Sequence, residues 1–74
     1  MDITTRSARI TDPIPFHAEH GRMQNIPIGP CLIEAVGGQP SVDIIWGARG
    51  ENCATLPIEE IQAAQSHGHL VLLD

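Results

Sequence analysis

Apolar and polar residues alternate most clearly over Ser41-Val42-Asp43-Ile44-Ile45-Trp46. Val42, Ile44 and Trp46 fall on one face at period two, and Ser41, Asp43 and Ile45 on the other, which predicts a β-strand. Cys31–Val36 is a second strand candidate, joined to the first by the turn residues Gly37-Gly38-Gln39-Pro40. Gly47-Ala48-Arg49-Gly50 then turns the chain into a third strand over Asn52–Leu56. Connections this short favour antiparallel hairpins, because parallel crossovers need a dozen or more residues.

A helix is expected between Leu56 and Gly68. Pro57 suits a first helical position, where a missing N–H costs nothing. Glu59 and Glu60 complement the positive end of the helix dipole, and Glu59 can reach back to an orphan amide. Ile58, Ile61 and Ala64 form a short apolar stripe, and Gly68 can adopt the left-handed conformation that ends the helix. The last stretch, His69–Asp74, carries the unbroken apolar run Leu70-Val71-Leu72-Leu73. Such a run is the mark of a strand covered on both faces, so the sheet is expected to close on itself or to meet a second subunit.

Residues 1–25 lack this periodicity. Asp12-Pro13-Ile14-Pro15 disfavours helix and cannot sit in a central strand. The expectation is an extended, flexible N-terminal arm with a short strand at Ser7–Thr11, tied down by Phe16, and a small α+β domain over 26–74. The favoured architecture is an antiparallel meander curled toward an SH3-like, partly open barrel, with one short helix and a C-terminal strand. A flat sheet carrying one helix is the second.

Charge narrows the functional classes. Nine acidic residues against four arginines, with no lysine, give a formal net charge of −5. Neutralising phosphates takes a basic footprint, so nucleic acid and anionic membrane are poor partners for this acidic chain. No run approaches the ~18 apolar residues of a membrane span, and the first residues lack the apolar core of a signal peptide. A cytoplasmic setting is therefore expected, and with it free thiols at Cys31 and Cys53. The meander separates these cysteines by one strand, roughly 10 Å, beyond disulfide reach unless the sheet closes.

Candidate chemistry is sparse. His17-Ala18-Glu19-His20 spaces two imidazoles around a carboxylate, and His67-Gly68-His69 adds two more. Such groups can hold zinc, so His17 and His20 are the candidate metal ligands, although they lack the spacing of a zinc-protease helix. Trp46 and Arg49 meet at a turn and are the candidate interaction residues, since aromatic and arginine anchors are favoured at interfaces. The phase of Trp46 with Val42 and Ile44 argues at the same time for a core position. Neither glycine turn has the lysine of a phosphate-binding loop, and no catalytic constellation or cofactor is implied. The sequence therefore predicts a non-enzymatic protein-interaction or structural module, binding a protein partner or forming a homodimer. A small metal-binding protein is the alternative.

Overall fold

The computed structural model describes residues 2–18 and 21–73. Its chain order is β1 (Ile3–Ile10), β2 (Ile14–His17), β3 (Met23–Ile26), β4 (Gly29–Val36), β5 (Ser41–Trp46), β6 (Asn52–Pro57), α1 (Ile58–Ser66) and β7 (Leu70–Leu72). Five strands form one antiparallel sheet in the order β6-β5-β4-β1-β7. β2 and β3 form a separate two-stranded ribbon. The protein is a small α+β domain dominated by antiparallel sheet, and the sheet is open, with β6 and β7 as its edges, instead of closing into a barrel.

The meander β4-β5-β6 follows the pattern of the sequence. β1 does not. Instead of a short strand in an arm, Ile3–Ile10 forms an eight-residue strand paired with β4 along its whole length and with β7 at Ala8–Ile10. Only Ala8 and Ile10 of this strand are buried, so two inward apolar side chains among six polar or exposed ones left no visible periodicity. The boundary drawn at residue 25 therefore does not separate β1 from the sheet.

The prolines behave as their chemistry requires. Pro15 lies in the β2-β3 ribbon opposite Asn25, where both strands are edges and one face of the backbone needs no donor. Pro30 lies beyond the last β5 pair, Cys31 with Trp46, so its missing N–H breaks no bond to β5. Pro57 is the N-cap of α1 instead of its first helical residue, and no side chain caps the helix. The Ile58 N–H donates to the Pro40 carbonyl at 3.0 Å, so the preceding turn satisfies one of the orphan amides. At the other end His67 is the C-cap, and Gly68 at φ 76° takes the left-handed conformation.

The inner face of the sheet carries the core. Ile10, Ile33, Ile44 and Leu56 project from the strands, and Ile14, Phe16 and Ile26 from the ribbon and Ile61 and Ala64 from α1 pack onto them. Ribbon and helix together make one covering layer. This single layer accounts for the state of β7: Leu70 is 2 % exposed on the inner side, whereas Val71 and Leu73 on the other are 43 % and 58 % exposed. The expected burial of that strand on both faces is corrected accordingly. No helix among the described residues is long and apolar enough to cross a membrane.

Candidate functional site

Cross-strand register defines what the outer face presents. Ser7 pairs with Leu32, Leu32 with Ile45, and Ile45 with Cys53, while the Leu73 N–H donates to the Ser7 carbonyl at 3.0 Å. Leu73, Ser7, Leu32, Ile45 and Cys53 thus form one row running across all five strands. Leu32 is 42 % exposed although it lies on the central strand β4. Leu73, Ser7, Leu32 and Ile45 of this row floor a shallow trough of about 520 Å³ whose rim is the turn from Gly47 to Gly50.

That turn is held in place. Gly47 has φ 104°, and a Cβ there would stand 2.8 Å from the Glu51 carboxylate, which instead accepts the Arg49 N–H at 2.9 Å. Only glycine reaches such a φ without strain. A Cβ on Gly50 would stand 3.4 Å from Ile45 Cγ2, so the turn leans on the trough floor. Arg49 itself is exposed on the rim.

Charge divides this face. On one side of the apolar row Glu34 and Asp43 stand directly opposite each other on neighbouring strands, a like-charge pairing that costs stability. The Thr55 hydroxyl donates to Asp43 Oδ1 at 2.6 Å, yet no cation pairs with either carboxylate among the described residues. Partial burial pushes the Cys53 thiol above its ordinary value, and the charges of Asp43 and Glu34 push it further in the same direction. On the other side of the row stands Arg9, opposite Pro30. Arg9 likewise has no ion-pair partner among the described residues.

Trp46 sits on the inner side with Val42 and Ile44, half-buried, its ring edge-on to Phe16 at 5.9 Å between centroids and 75° between planes. Its strand end nevertheless borders the outer trough together with Arg49. A second groove, of about 690 Å³, opens between the ribbon and edge strand β6, lined by Phe16, His17, Trp46 and Asn52–Thr55. His17 is exposed there, and His20 lies outside the described residues. The rings of His67 and His69 stand 5.6 Å apart at the far end of α1, with His69 Nε2 3.4 Å from Asp12. Among the described residues no three His, Cys, Asp or Glu side chains converge as a metal site.

The cysteines are free and lie on opposite faces, Cys31 buried and Cys53 exposed. Burial raises the Cys31 thiol as well, so neither carries the lowered pKa of a nucleophilic thiolate. The signal for the outer row was present in the sequence as Ile45 on the face opposite Trp46. What was missing was the register that aligns Ile45 with Leu32 and Cys53.

The class defined by these features is a small open-sheet α+β domain with one covered and one uncovered face. No family model matches the chain, and no curated protein or solved structure matches it either.

Proposed function

We propose that this chain is a small non-enzymatic interaction module that binds protein through the outer face of its sheet. The observation that carries the reading is the row Leu73-Ser7-Leu32-Ile45-Cys53, apolar but for Ser7, with Leu32 and Leu73 left open on a sheet whose other face is packed by ribbon and helix. Exposed apolar stripes rimmed by polar residues mark interaction sites. In this reading Arg49, on the trough rim, supplies a cationic anchor beside the row, and Trp46, which borders the same trough, packs edge-on against Phe16.

A photo-crosslinking residue at position 32 tests this in cells expressing the protein. A discrete protein adduct from position 32, absent when the same residue is placed at Gln62 on the exposed side of α1, is the expected result. Equal labelling from both positions, or none from either, contradicts the proposal.

A further inference from the structure

The distribution of charge about the apolar row has a definite symmetry. Arg9 lies level with Pro30 on β4, and Glu34 lies four residues further along that strand. At ~3.4 Å per residue this separates them by roughly 14 Å, too far for an ion pair within one chain. The midpoint between the two levels is Leu32, the residue at the centre of the row. Turning a second copy over about an axis along that row lays Leu32 against Leu32 and Ile45 against Ile45. The same rotation brings Arg9 of each copy over Thr5 and Glu34 of the other, because Thr5 and Glu34 are cross-strand partners. Asp43 then faces the other copy's turn, where Arg49 stands beside Glu51. An axis along the strands would instead set Glu34 against Glu34, so the charges select the first arrangement.

We infer that the occupant of the outer face is a second copy of this chain, packed sheet on sheet about a two-fold axis along the Leu32 row, with Arg9 of each copy answering Glu34 of the other and the Arg49 turn answering Asp43. The inference rests on the reading of this face as an interaction surface and adds the partner and its orientation. It makes the like-charged Glu34–Asp43 pair a specificity device: costly in the monomer, neutralised in the dimer.

Sedimentation equilibrium across a concentration series tests it with three proteins: the parent, Arg9→Glu, and the double variant Glu34→Arg/Asp43→Arg. All the substituted side chains are solvent-accessible, and circular dichroism with thermal melting confirms that each variant folds. The parent is expected to reach twice its monomer mass. Each variant alone is expected to dissociate at least about tenfold more readily, because either change sets like charges against each other across the interface. An equimolar mixture of the two variants is expected to recover the parent's dimerisation, since position 9 of each copy then meets the opposite charge at position 34 of the other at both symmetry-related contacts, whereas each homodimer repels at both. A parent that stays monomeric at all concentrations overturns the inference, as does a dimer indifferent to both variants or a mixture no tighter than its components. The broader reading fails separately: an adduct from position 32 with a different protein, from a monomeric chain, removes the second copy and leaves the interaction face standing.

Discussion

Replacing Ile10 by alanine, with Ile3→Ala as its partner experiment, probes the segment whose structure departs furthest from the pattern of the sequence. Both residues belong to β1, at opposite ends and on opposite faces. Ile10 is fully buried, between β4 and β7 and under the covering layer, whereas Ile3 is 61 % exposed. Truncating a buried isoleucine to alanine removes its transfer energy and leaves a cavity, at a cost of ~2–5 kcal/mol. A 74-residue chain has a total stability of roughly 4–11 kcal/mol at ~0.05–0.15 kcal/mol per residue. Ile10→Ala is therefore expected to consume a large share of it. At ~4–8 °C per kcal/mol for a domain of this size, the melting temperature falls by roughly 10 °C or more. Ile3→Ala is expected to stay within ~0.5 kcal/mol of the parent, as exposed substitutions do. Urea titration followed by circular dichroism at low protein concentration measures both. Equal and small effects would show that the first ten residues contribute no strand to the core.

Other outcomes follow from single features. Gly47→Ala should cost ~1–2 kcal/mol in a urea titration, because an L-residue is strained at φ 104°. Gly37→Ala, where an added Cβ meets only ordinary contacts, should leave the melting temperature unchanged. For Cys31 the folded state holds the proton more tightly than the unfolded chain, whose thiol titrates near 9.0. Its contribution to stability is complete below that pH and is lost as pH rises through the raised folded value, so parent stability should fall above about pH 9 more steeply than that of Cys31→Ala. At pH 7 the Cys53 thiol should react with iodoacetamide more slowly than a free cysteine peptide, and Asp43→Asn should speed it, since the Asp43 charge helps hold that thiol protonated. Dialysis against a chelator should leave the melting temperature unchanged. A chelator-induced fall restored by zinc would promote the histidine-based alternative instead.

The meander, the helix and the turn glycines are legible because their signals are local: alternation over Ser41–Trp46, an acidic first turn after Pro57, a glycine at position 68. β1 is not legible, because a strand with only Ala8 and Ile10 buried is recognised by its partners and not by its own period. The prolines of residues 13–15 exclude a central strand where they stand, in the ribbon, and not over the residues before them. The run Leu70–Leu73 misleads for a different reason. Continuous apolarity predicts two covered faces, yet the chain itself covers only one and leaves Val71 and Leu73 exposed. Of the outer row only Ile45 is legible, by its phase opposite Trp46: Leu32 and Cys53 are dispersed in sequence, and only cross-strand register gathers them.

Methyl NMR with a soluble paramagnetic relaxation agent, at micromolar and then millimolar protein, tests most directly the claim that one sheet face is packed by the chain and the other by a partner copy. At low concentration the Leu32 and Leu73 methyls should be strongly broadened by the agent while those of Ile44 and Leu70 stay sharp. At high concentration Leu32 should become protected and Ile44 and Leu70 should not change. Protection of Leu32 equal to that of Ile44 in the dilute sample, or full accessibility of Leu32 at every concentration, would contradict the account.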